Sequence, residues 1–140
     1  MKKEMVLKMF LLCLCIAGFV SCSDDSNDIA FNGESLEQTQ WSGTMYFYSN
    51  GEVTGENSYG ISFLTDDSGI TSTTDENGYH TKSYFTYSIT DNLITFTVDK
   101  SDWLDGYWFL KSFNKDAMEL EQSTGEENAY KQVLVLKRTY

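Results

Sequence analysis

Beyond about position 36, the apolar residues of this chain recur at every second position, and not one proline interrupts them. An alternation of period two puts one set of side chains on a buried face of a β-strand and the other on a solvated face. In 83–90, Phe85, Tyr87 and Ile89 share one face while Tyr84, Thr86 and Ser88 share the other. In 93–99, Ile94, Phe96 and Val98 oppose Thr95 and Thr97; in 117–122, Met118 and Leu120 oppose Glu119 and Glu121. Trp41, Gly43, Met45 and Phe47 form the expected inward set of the first strand. The last strand, 131–138, carries Val133-Leu134-Val135-Leu136 and is apolar on both faces, which calls for packing outside it or a paired interior position.

Turn-forming residues punctuate this pattern at Ser49-Asn50-Gly51, Asp66-Asp67-Ser68-Gly69, Asp75-Glu76-Asn77-Gly78, Asp91-Asn92, Asp105-Gly106, Asn114-Lys115-Asp116 and Ser123-Thr124-Gly125. Seven turns imply eight strands, at a spacing that suits a sandwich or barrel. Short links make sequence neighbours antiparallel neighbours in space. The stretch from Gly51 to Asn57 is the one link expected to be long. An open meander would leave two edges, and no proline is present to blunt them. The expected fold is therefore all-β: an antiparallel up-and-down β-barrel of about eight strands over residues 36–140. A single domain of this size buries roughly 60–70% of its unfolded surface, enough for one core.

An eight-stranded barrel is just wide enough to be filled by side chains or to hold one small ligand. The expected inward residues include Trp41, Phe47, Phe63, Phe85, Tyr87, Phe96 and Phe109. Aromatics bury about 150–250 Å² each, so this set would take up most of the interior.

The N-terminus carries a different signal. Met1-Lys2-Lys3-Glu4 is followed by an apolar run from Met9 to Val20, the pattern of a secretory signal over residues 1–21. The run is too short to cross a bilayer, which takes roughly 20 apolar residues. Phe19-Val20-Ser21-Cys22 resembles the bacterial lipobox, which implies that Cys22 becomes an acylated first residue. Ser23-Asp24-Asp25-Ser26-Asn27-Asp28 resembles the acidic surface-export signal of lipoproteins from gut-commensal-type Gram-negative bacteria. That likeness implies the outer face of the outer membrane, with the periplasmic face as the alternative. Residues 22–35 then form a lipidated acidic tether, from which Ile29 and Phe31 can dock on the domain.

Cys13 and Cys15 leave with the signal and Cys22 carries lipid, so the folded domain has no thiol. This excludes a cysteine nucleophile, a cysteine metal site and a disulfide. Removing residues 1–21 also removes Lys2, Lys3, Lys8 and Glu4. Ten basic residues become 7 and 21 acidic ones become 20, for a net charge of −13. Such a surface repels nucleic acid and anionic headgroups, so attachment to a membrane has to come through N-terminal acyl chains.

The strand motifs resemble the lipocalin-like domains of small bacterial lipoproteins. The matching pieces are Leu36 with Trp41, 62–70, 87–96, Trp108–Phe113 with Met118-Glu119-Leu120, and the closing Leu136-Lys137-Arg138. The resemblance implies a barrel-closing pair in which the guanidinium of Arg138 lies over the indole of Trp41, worth roughly 0.5–2 kcal/mol.

The loop from Asp99 to Gly106 holds Asp99, Asp102 and Asp105, but at a spacing of three, unlike the spacing of two in a calcium loop, and with Lys100 among them. Trp103, Tyr107 and Trp108 are candidate ligand contacts, since exposed aromatics beside carboxylates stack on sugar rings. Against this, Trp108 or Tyr107 can belong to the core, with Trp103 capping the barrel mouth. His80 is the only histidine and lacks the cysteines of a zinc site, a Gly-x-Ser-x-Gly elbow or a phosphate loop. The pairs Asp66-Asp67, Asp75-Glu76 and Glu126-Glu127 sit in turns, where solvation works against the raised pKa of a glycosidase acid. No metal, cofactor or catalytic group is expected. Two functions remain: a lipid-anchored envelope protein binding a small apolar or glycan-like ligand in or at the barrel, or a non-enzymatic protein–protein interaction module with a filled barrel.

Overall fold

The structure, a computed structural model, describes residues 29–140 except 124, 125, 127 and 128. The expected signal segment, 1–21, and Cys22 lie outside the described residues. Eight strands form one closed antiparallel barrel in sequence order: β1 (Thr39–Ser49), β2 (Glu52–Phe63), β3 (Ser68–Thr74), β4 (His80–Thr90), β5 (Leu93–Val98), β6 (Gly106–Phe113), β7 (Ala117–Ser123) and β8 (Tyr130–Arg138). β8 returns to pair with β1 from Trp41↔Arg138 to Ser49↔Tyr130, so neither strand is an edge. At this seam the two backbones approach closely: a Cβ on Gly43 would overlap the carbonyl oxygen of Val135, so only glycine fits.

Each expected turn region falls at a link between strands, but two link lengths differ from expectation. The first link is a two-residue hairpin at Asn50 and Gly51, both with positive φ, and Glu52–Asn57 belongs to β2. Those residues read as loop because the inward positions Gly55 and Asn57 lack apolar side chains. They pair instead with Phe47 and Met45, whose side chains supply the bulk there. A bulge at Thr54 then places Val53 opposite Tyr48. The long link is the one between β5 and β6, Asp99–Asp105.

The inward phases of β1, β4, β5 and β7 are as expected: Trp41, Met45, Phe85, Tyr87, Ile94, Phe96, Met118 and Leu120 are buried. In β6 the phase is reversed. Phe109 is 51% exposed and Trp108 is the buried residue, because Trp108 Nε1 donates to the Leu104 carbonyl at 2.7 Å and fixes the strand's orientation. A second bulge at Lys111 lets Leu110 and Phe113 both face inward, opposite Leu120 and Met118. In β8, Leu134 and Leu136 are inside, while Val133 packs on the outer face and Val135 is exposed there.

Below the barrel, α1 (Gly33–Leu36) straddles the boundary expected between tether and domain. Asn32 and Ser35 form a reciprocal capping box, with Ser35 N donating to Asn32 Oδ1 at 2.9 Å. This short turn seats Leu36 at the barrel base, where it is fully buried. Phe31 docks as expected, edge-on to Phe113 at 5.1 Å, whereas Ile29 stays exposed.

Candidate functional site

The two ends of the barrel are closed by different chemistry. At the base, Phe63 meets Tyr87 at 5.0 Å and Phe85 at 5.8 Å, both edge-on, and Phe85 meets Phe96 at 5.2 Å. Edge-to-face rings at such distances add about 0.5–1.5 kcal/mol per pair beyond their burial. Tyr87 places its hydroxyl at the rim and donates to the Thr65 carbonyl at 2.9 Å. Its phenol pKa is pushed above the ordinary value by burial first, then by the charges of Asp66, Asp67 and Glu37.

At the other end the β5–β6 loop folds inward as a plug. Leu104 is fully buried among the core residues, and Trp103 packs edge-on against Phe47 at 5.0 Å. Asp102 accepts from the hydroxyl of Tyr59 and the backbone N–H of Leu104 (2.9 Å) at Oδ1, and from Thr71 Oγ1 at Oδ2 (3.1 Å). The pKa of the Tyr59 phenol is raised, chiefly by burial and then by its bond to the Asp102 carboxylate. Asp105 ties the far side of the plug: its Oδ1 accepts from Val98 N at 3.0 Å and its carbonyl from Gln122 Nε2 at 3.2 Å. Beside this network two buried oxygens, Ser83 Oγ and Gln132 Oε1, have no hydrogen-bond partner among the described residues. Ser83 is the cross-strand partner of Thr71.

The candidate ligand contacts do not form one surface. Trp103 caps the mouth at 56% exposure, Tyr107 stands 64% exposed on the outer wall, and Trp108 is inside. Trp41 and Arg138 are backbone partners at the seam, but the expected cation–π contact is not made. Arg138 Nε donates to the Tyr140 carbonyl at 3.0 Å instead. The indole is covered by Phe113 at 6.0 Å, and its Nε1 donates to Thr39 Oγ1 at 2.7 Å. The Phe113 ring of β6 therefore takes the place expected for the guanidinium. The contact of that type among the described residues is Lys131 over Tyr48, at 4.9 Å.

Asp99, Asp102 and Asp105 diverge, since Asp99 Oδ1 accepts from Tyr84 N at 3.0 Å on the outer face. His80 is exposed, with Nδ1 2.8 Å from Thr74 Oγ1. Asp75 Oδ1 accepts from Asn77 N and Tyr79 N, each at 2.9 Å, and so serves its own turn. Among the described residues, no group of three His, Cys, Asp or Glu side chains is placed to hold a metal ion.

Sequence reasoning missed the Tyr59–Asp102–Thr71 network. The signal for it was Leu104 beside Asp102: a large apolar residue in a polar loop tends to be buried, and Leu104 brings the neighbouring acid to the mouth while Trp103 stays half exposed over Phe47.

The chain matches no family model, no curated protein and no solved structure.

Proposed function

We propose that this protein is a non-enzymatic interaction module of the cell envelope. In this reading acyl chains on Cys22 hold it to the outer membrane, and it engages a protein partner through the outside of its barrel. The observation that carries the reading is the occupied interior. Trp108, Leu104, Phe96, Met45 and Leu134 sit where a lipocalin-like protein would hold its ligand, so an internal ligand would have to expel the plug.

The outer face of β6, β7, β8 and β1 is the best-suited surface. Phe109, Glu121, Val133 and Tyr46 form one outward row by register, and exposed Val135 lies in the row beside it. Lys111, Lys131 and Lys137 project on the same side, and Lys111 pairs with Glu121 at 3.7 Å. They offset the acids here, on a chain whose net charge is −11. Apolar side chains framed by compensated charge are typical of an interface.

The test is crosslinking on intact cells of the native host. A discrete adduct that disappears in the Val135→Glu protein is expected. An unchanged adduct pattern, or an apolar ligand retained in native mass spectra of the gently purified protein, would overturn the reading. The anchor is tested separately: Cys22→Ser should release the protein from membranes.

A further inference from the structure

We infer that a groove on the opposite side of the barrel, between the β2–β3 loop and strands β4 and β5, is a binding site for one unit of a neutral sugar. The groove is shallow, open to solvent and about 400 Å³ in volume. Leu64, half exposed, and Tyr84, 65% exposed, are the two large apolar side chains that line it and remain open to solvent. Both belong to rigid parts of the fold. Leu64 N donates to the Ser68 carbonyl at 2.9 Å, and Tyr84 is clamped on both backbone sides by Asp99.

Gly69, Phe85 and Val98 form an apolar floor, and Ser68, Thr86, Thr97 and Asp99 supply the polar groups of the groove. Thr86 and Thr97 are cross-strand partners on the outer face, and Ser68 is the partner of Thr86 across β3. None of the hydroxyls of Thr86 and Thr97 is engaged by another described side chain, and the second carboxylate oxygen of Asp99 accepts no bond among the described residues. The set thus offers an aromatic ring, hydroxyls that donate and accept, and a carboxylate that only accepts.

This combination matches a pyranose ring better than a hydrocarbon or an ion. A sugar presents a face of C–H groups to an aromatic ring and a rim of hydroxyls to polar neighbours, whereas a purely apolar ligand would strand Asp99 and the threonines. An acidic sugar is disfavoured twice, by Asp99 within the groove and by the net negative charge of the chain. The geometry is independent of the β6–β8 face, so this site stands or falls apart from the protein interface.

The full chain, as processed by its bacterial host and held in detergent, would be examined by saturation-transfer NMR. The ligands are the methyl glycosides of glucose, galactose, mannose and N-acetylglucosamine, with methyl glucuronide for contrast. Saturation transfer to at least one neutral glycoside is expected at about 10 mM, a range suited to millimolar affinity. Tyr84→Ala should weaken it by about tenfold, the scale of one aromatic contact. Thr86→Arg, which fills the groove from an exposed position, should abolish it, while Tyr107→Ala on the neighbouring wall should leave it unchanged. Silence from all neutral glycosides, a signal indifferent to both groove variants, or equal binding of the glucuronide would each overturn the assignment.

Discussion

The base and the mouth of this barrel solve one problem in two ways. Both ends have to exclude water. The base is closed mainly by rings and by Leu36; its polar contacts are the short chain from Trp41 Nε1 through Thr39 Oγ1 to the Leu36 carbonyl and, at the rim, the bond from Tyr87 to the Thr65 carbonyl. The mouth is closed by a loop whose carboxylate is drawn inside and met by a phenol, a hydroxyl and an amide. A base made of apolar contacts is stabilised by area and tolerates partial repacking. A mouth made of a buried polar network depends on every partner being present, because removing one leaves the others unpaired. The mouth is therefore the end at which a single substitution should loosen the barrel locally.

Mutations that remove one member from each end should show this. Phe63→Ala deletes the ring at the centre of the basal cluster and should cost about 3–5 kcal/mol, read as a lower urea midpoint. The loss should be global, with hydrogen exchange accelerated throughout. Asp102→Ala should cost about 2–3 kcal/mol, from leaving Tyr59 and Thr71 unpaired. Its exchange should quicken first in the β5–β6 loop. If Asp102→Ala unfolds the whole barrel as a unit while Phe63→Ala acts locally, the comparison is reversed.

Each end also holds one buried phenol, and pH sharpens the contrast further. Both Tyr59 and Tyr87 have folded pKa values raised above the ordinary value near 10, so both stay neutral in the native state. Below that pH the folded and unfolded chains bind these protons equally, and the contribution is fully present. Above it the unfolded tyrosines ionise while the folded ones do not, so stability falls by about 1.4 kcal/mol per pH unit for each buried phenol. Tyr59→Phe should remove that component at the mouth and Tyr87→Phe at the base. Denaturant titrations at a series of alkaline pH values measure the slope. An unchanged slope in Tyr59→Phe would mean that the mouth is open to hydroxide in the native state.

The strand plan of this molecule was legible because paired turn residues and period-two alternation are local. Asn50-Gly51 and Asp91-Asn92 mark their hairpins without reference to anything distant, and the lack of proline pointed to closure. What stayed hidden depends on contacts between remote segments. The phase of β6 follows from Trp108 reaching the Leu104 carbonyl. The covering of Trp41 by Phe113 follows from a bulge at Lys111 that alternation alone does not reveal. The polar residues Glu52–Asn57 form a strand only because Phe47 and Met45 of β1 fill the space beside them. Of the candidate surfaces, Trp103 at the mouth was legible. The Tyr84 groove was not, since it is assembled from two strands and a loop with no motif in common.

The smallest expected effect concerns Ser83, whose hydroxyl lies beside Thr71 in the wall of the mouth and has no partner among the described residues. An unpaired buried hydroxyl costs its desolvation and returns nothing. Ser83→Ala removes only that oxygen, so no cavity larger than one atom results. The variant should be neutral or stabilised by up to about 1 kcal/mol, which two-state urea unfolding can resolve in a paired measurement. The same substitution at Thr71 should instead destabilise by about 1 kcal/mol, because there the oxygen donates to Asp102. If Ser83→Ala were as costly as Thr71→Ala, Ser83 would belong to the Asp102 network, and the polar closure of the mouth would extend one strand further than the bonds around Asp102.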